Sequence, residues 1–228
     1  MNEIIFFIYI FLISTSLLIA LKISKSALIS LIALQNVLVN LFVLKEIVLF
    51  GFRATASDAF SVGITFGLNL IQEYYGKESA KKSIYIGFLC AIFYLIISQL
   101  HLFYVPDYNN IEVSNCYNTI LSQMPRIIVA SLFVYLITQN LDCILYGYFK
   151  KILANRYFIL RNILSTLITQ FIDTLLFSFL GLYKINQSFN DINIIIQIII
   201  ISYIIKIVAI FTSAIYISFI RKIVKKQL

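Results

Sequence analysis

Charge is scarce in this chain. Acidic and basic residues make up 12% of its 228 positions, against about 25% in a soluble domain. A water-facing globular surface cannot be built from so few. Histidine is nearly absent: His101 stands alone, so a histidine metal site or a Ser-His-Asp triad has no material. It reads instead as a structural residue at a helix end near the membrane surface. The three cysteines, Cys90, Cys116 and Cys143, are scattered and fit no metal spacing. Tryptophan is missing, which leaves tyrosine to supply any aromatic belt. There is no glycine-rich phosphate loop, hence no visible ATPase. No ten-residue alternating segments of a membrane β-barrel occur.

What is present is hydrocarbon. Hydrophobic residues make up 61% of the chain and mean hydropathy is +0.95. Several runs exceed the roughly 20 apolar residues that cross a bilayer. Seven candidate spans run over 4–21, 28–50, 57–75, 83–104, 121–149, 162–182 and 192–220. The fold class expected is all-α: a polytopic integral membrane helix bundle, with six core transmembrane helices plus an extra one at the N-terminus. The chain reads as one transporter-sized domain, 1–228, with the extra helix in 1–25. Pro106 and the polar run "PDYNNIEVSNCYN" mark the longest loop. The opening "MNE" is acidic and no small-residue cleavage site follows, so the first span reads as a retained helix.

The basic residues set an orientation. With the N-terminus outside, thirteen of them fall in the inner segments. These are Lys22 and Lys25, Lys77, Lys81 and Lys82, Lys150, Lys151, Arg156 and Arg161, and Arg221, Lys222, Lys225 and Lys226. The outer loops hold Arg53 and Lys184, with Asp107 and Glu112. That is the positive-inside asymmetry. It accounts for the net charge of +8 without a nucleic-acid partner, and it expects a cytoplasmic C-terminus.

Lys45, Arg126 and Lys206 remain inside apolar segments, as do Glu46, Glu73, Asp142 and Asp173. Lys45 and Glu46 lie near a predicted helix end and can snorkel. Asp142 precedes a basic loop by about one turn and reads as interfacial. Asp173 and Lys206 fall near mid-span, where an ionised group costs at least about 2.5–3.5 kcal/mol. Asp173 is the acid of the stretch "RNILSTLITQFIDT", one residue before its end. On a helix, Asn162, Ser165 or Thr166, Thr169 or Gln170, and Asp173 share one face, a stripe about 16 Å long. Hydrogen-bonded glue between helices is one explanation. A water-accessible cavity for a polar solute is the other, and the length of the stripe favours it. The third span adds Asn69, Gln72 and Glu73, with Tyr74 and Tyr75 at the inner interface where Gly76 ends the helix. The fifth adds Arg126, Gln139 and Asp142, and the seventh Lys206. Amides, carboxylates and aromatic faces together suit a planar, hydrogen-bonding, purine-like solute.

The segments "NLIQEYYGKESAKKS", "RIIVASLFVYLITQNLDC", "RNILSTLITQFIDTLLFSFLG" and "IIKIVAI" resemble the queuosine precursor transporter family, also called the vitamin-uptake-like transporter family. The resemblance covers roughly 55–220, and the Ser-Thr…Asp-Thr helix is its most specific part. It implies a transporter, not an enzyme, with no cofactor. Its work would be import of a deazaguanine precursor of queuosine, or of queuine, across the bacterial inner membrane. It suggests substrate contacts at Asn69, Glu73, Arg126, Gln139, Asn162, Ser165, Gln170, Asp173 and Lys206. Asp173 and Glu73 would grip the guanine-like N–H edge and Asn162 and Gln170 the other polar atoms. Arg126 and Lys206 would compensate buried carboxylates. The chain departs from the family in placing Asn69 where many members carry aspartate, and in its extra first span. Either Glu73 takes over that aspartate's role or the substrate differs.

Three rivals stand beside this reading. One is a substrate-binding membrane subunit that borrows an ATPase module. Another is an intramembrane aspartyl enzyme, which needs Asp142 or Glu73 in contact with Asp173. The last is a non-catalytic structural subunit. Energy coupling and any homo-oligomer are open at this level.

Overall fold

The computed structural model describes residues 1–43, 45–55, 57–107, 111–122, 124–154, 156–183 and 191–224. Lys184, Lys225 and Lys226, assigned above to loop and tail, lie outside the described residues. Among the described residues the order is α1 (Asn2–Ile23), α2 (Lys25–Phe42), β1 (Glu46–Leu49), β2 (Phe52–Thr55), α3 (Asp58–Tyr75), α4 (Lys77–His101), α5 (Ile111–Ser122), α6 (Met124–Ile152), α7 (Phe158–Phe177) continuing into a π-helical turn (Ser178–Leu182), and α8 (Ile192–Val224). The protein is a multi-pass membrane bundle of the all-α class, with one short β-hairpin between α2 and α3.

Among the described residues six helices, α1, α2, α4, α6, α7 and α8, are long and apolar enough to cross a membrane. The remaining long helix, α3, is an expected span but not one of the six. Its sequence DAFSVGITFGLNLIQEYY is diluted by polar groups. It tolerates them because protein surrounds it: Asp58 to Gln72 is buried at nearly every position.

The helix junctions follow from local chemistry. Ser24 separates α1 from α2 in an extended conformation, and its Oγ accepts from the Ala27 N–H at 3.0 Å, the usual serine N-cap. Gly76 joins α3 to α4 with φ of +84°, a conformation that glycine adopts without strain. The helix ends at Tyr75 as expected.

Two expectations are corrected. The second span was drawn to residue 50, but α2 stops at Phe42 and a β-hairpin follows. Phe50 and Gly51 both have positive φ, +52° and +83°, a two-residue turn whose twist suits paired strands. Leu49 faces Phe52 across it. Lys45 and Glu46 therefore sit at the hairpin, not at a helix end. The hairpin is tied to the start of α1, where Asn2 Nδ2 donates to the Val48 carbonyl at 2.8 Å and Phe50 N–H donates to Glu3 Oε1 at 3.2 Å. The predicted long loop after Pro106 also contains α5.

α3 sits between two different environments. Gly63 and Gly67 lie on one face, one turn apart. A methyl group built on Gly67 would lie 2.7 Å from Ile32 and 2.9 Å from Leu17. One built on Gly63 would collide with Ile13 and come within 3.0 Å of the Gln35 amide oxygen. The glycines thus let α1 and α2 approach the α3 backbone closely. The opposite face carries Asp58, Ser61, Thr65, Asn69 and Gln72 toward α6, α7 and α8.

Candidate functional site

The polar face of α3 starts a column of buried hydrogen bonds about 22 Å long from Asp58 to Glu73, at 1.5 Å per residue. α7 supplies the facing side. Arg161, Asn162, Ser165, Thr166, Thr169, Gln170 and Thr174 are all buried, so the polar stripe of "RNILSTLITQFIDT" turns inward as its spacing predicts. Asp173 is half-buried at its end.

The middle of the column is amide-rich. Asn69 Nδ2 donates to Asn162 Oδ1 at 2.8 Å and lies 3.4 Å from Ser165 Oγ. Asn69 Oδ1 and Asn162 Nδ2 are buried without a hydrogen-bond partner among the described residues, so this linked pair leaves one acceptor and one donor unfilled. Thr65 Oγ1 accepts from Gln170 Nε2 at 3.0 Å and Gln139 Nε2 at 3.2 Å. Ser61 Oγ donates to Gln170 Oε1 at 3.0 Å. Asp142 is 1% exposed and accepts from Thr169 Oγ1 at 3.1 Å, with Ser165 and Asn69 facing the same carboxylate. It is central, not interfacial as its distance from the basic loop suggested.

One end of the column carries the connections α1–α2, α3–α4 and α6–α7, with their lysines; we call it the basic end. There Glu73 Oε1 accepts from Arg161 Nη2 at 3.0 Å, while its Oε2 accepts from Tyr146 OH at 2.8 Å and pairs with Lys150 Nζ at 3.0 Å. Arg161 is wholly buried and lies over the rings of Tyr146 and Phe158. The sequence had placed Arg161 among the loop cations. Its burial is a correction, and Glu73, 88 residues away, is the cause.

At the hairpin end a cavity opens between α2, α3, α6, α7 and α8. Asn36, Ser57, Asp58, Ser61, Gln139, Asp173, Ser202 and Lys206 are among its lining residues. Lys206 Nζ donates to Asp173 Oδ2 at 2.6 Å, and Thr138 Oγ1 lies 3.4 Å from Asp173 Oδ1. Lys206 therefore neutralises a carboxylate, as expected. Arg126 does not join the column. It is exposed at the start of α6, where its Nη2 donates to the Tyr183 carbonyl at 2.7 Å.

Of the nine residues singled out in the sequence, the structure gathers Asn69, Gln139, Asn162, Ser165 and Gln170 in the middle. Asp173 and Lys206 sit at the cavity, and Glu73 at the basic end. Sequence reasoning missed Asp58, Ser61, Thr65, Asn36 and Arg161. The spacing 58, 61, 65, 69, 72 on α3 carried a signal equal to that of α7. Asp58 was overlooked because it opens a predicted span.

Residues 55–219 match the family model described as "Putative vitamin uptake transporter". The chain belongs to this family. A curated relative from Bacillus subtilis (strain 168), named "Probable queuosine precursor transporter", is 31% identical over 143 residues. That match covers 61% of this chain and 62% of the relative, so the chain spans less than two thirds of the relative's length. Nothing among solved structures matches. The buried polar column lies wholly within the family's matched segment. Of the polar groups above, Asn36 on α2 falls outside it. The protein is thus a multi-pass membrane protein of the vitamin uptake transporter family, with a buried column of polar groups in its interior.

Proposed function

We propose that this transporter imports a queuosine precursor, a deazaguanine-type base or queuine, across the bacterial inner membrane. Its N-terminus would lie outside and its C-terminus in the cytoplasm. The observation that carries the reading is the column itself: amides and hydroxyls of α3, α6 and α7, buried in a membrane bundle, with the Asn69 acceptor and Asn162 donor unfilled. Glue between helices needs matched groups, and leaving a buried polar atom unmatched costs about 1–3 kcal/mol. A neutral base with donors and acceptors on its edge would satisfy them. The relative's name supports the substrate class, and the bias of Lys77, Lys81, Lys82, Lys150 and Lys151 toward one end supports the orientation. Asn69, Gln139, Asn162, Ser165 and Gln170 are the proposed contacts along the path.

Rescue in cells tests this. A bacterium unable to make or import queuosine precursors is given this chain and fed each precursor and queuine at low concentration. Queuosine in its tRNA is scored by the boronate-gel shift. Wild type is expected to restore the shift and a well-expressed Asp173→Asn variant to lose it. Good membrane expression with no restoration by any of these bases would refute the substrate class.

A further inference from the structure

Four carboxylates line the polar interior: Asp58, Glu73, Asp142 and Asp173. Three are occupied. Glu73 holds Arg161, Tyr146 and Lys150. Asp142 holds Thr169 and faces Ser165 and Asn69. Asp173 holds Lys206 and Thr138. Asp58 differs. It is 6% exposed, it lines the hairpin-end cavity, and its Oδ2 has no hydrogen-bond partner among the described residues. Thr55 bonds the carboxylate from the hairpin.

Nothing structural accounts for an unfilled carboxylate oxygen at that place. Lys206 and Asp173 already form a pair at 2.6 Å, so Asp58 is the excess negative charge of the cavity. Its position in the first turn of α3 stabilises that charge through the helix dipole but supplies no donor to Oδ2. A carboxylate in a fixed place binds best to two parallel N–H groups. In a neutral purine-like base these are a ring N–H and the adjacent exocyclic amine. Lys206 on α8 shares the cavity, and its ammonium, with one proton given to Asp173, keeps further donors for a carbonyl oxygen.

We infer that Asp58 is the specificity-determining residue of the cavity, the carboxylate that recognises the N–H and amino edge of a guanine-type base. This rests on the proposed function but moves the recognition role away from Glu73 and Asp173, whose oxygens are already engaged. A site built to bond a substrate N–H rejects the analogue lacking it more strongly than a hydrophobic pocket rejects a missing methylene.

The test uses 7-deazaguanine and 7-deazahypoxanthine, which differ by the exocyclic amine alone, as competitors of labelled queuine uptake in cells expressing the full chain. Wild type is expected to prefer 7-deazaguanine by roughly tenfold to a hundredfold, as loss of one charge-assisted bond implies. Asp58→Asn should shrink that preference to within about threefold of unity, whatever its total uptake, because the ratio does not depend on how much protein folds. An unchanged preference in Asp58→Asn overturns the inference. Should the variant import nothing, the pair is compared by ligand-induced melting shifts on purified wild-type and Asp58→Asn protein in detergent. A wild-type preference for 7-deazaguanine that Asp58→Asn loses supports the assignment, and a preference equal in the two proteins overturns it. Failure of wild type to take up queuine in the first arm would count against the proposed function. The melting arm still reads Asp58 separately.

Discussion

The two ends of the polar column solve the same problem in opposite ways. Each buries a carboxylate beside a cation. At the basic end, Glu73 is gripped by three donors from α6 and α7, and Arg161 behind it is sealed among aromatic rings. At the hairpin end, Asp173 has one lysine, and both face a cavity with a second carboxylate on its wall. The first arrangement ties α3 to α6 and α7. The second keeps space and an unfilled acceptor. Equal chemistry therefore serves closure in one place and reception in the other, and what separates them is the number of donors per carboxylate.

Breaking the tighter end should cost most. Glu73→Ala strands Arg161, fully buried, without its counter-charge, and should destabilise the fold by about 3–5 kcal/mol. Equilibrium unfolding in mixed detergent micelles would measure it; a loss under about 1 kcal/mol would mean the latch holds nothing. Next comes Lys206→Met. It strands Asp173, but the cavity can admit water to that carboxylate, so the loss should be smaller, about 2–3 kcal/mol. A cost equal to that of Glu73→Ala would erase the distinction between the ends. The smallest effect should come from Lys150→Ala. That lysine is half-buried and Glu73 keeps Arg161 and Tyr146, so stability should fall by less than about 1 kcal/mol. A larger loss would show that the latch depends on its outermost member.

The legible parts of this protein are those with a period. The apolar runs gave most helix ends to within a few residues, the end of α2 and the start of α4 excepted, and the three-and-four spacing from Asn162 to Asp173 gave the inward face of α7. The hairpin was hidden because its strands EIVL and FRAT continue an apolar run, and a Phe-Gly turn is a weaker signal than Asn-Gly. Arg161 looked like a loop cation because its partner lies far along the chain. Asp58 lies in the first turn of α3, where an acidic residue is ordinary because it complements the helix dipole. Contacts between distant segments leave no mark on local pattern, and the ionic ends of the column are made of such contacts.

The glycine face of α3 has a consequence for assembly. α3 is the long helix least able to enter a bilayer on its own composition. Its apolar neighbours, α1 and α2, precede it in the chain, while α6, α7 and α8, which match its polar face, come afterwards. During synthesis the hairpin-shaped pair α1–α2 is therefore complete when α3 emerges, and Ile13, Leu17 and Ile32 are ready to receive Gly63 and Gly67. The seam of the finished protein thus joins α3 to helices that come before it in the chain, and its polar face to helices that come after.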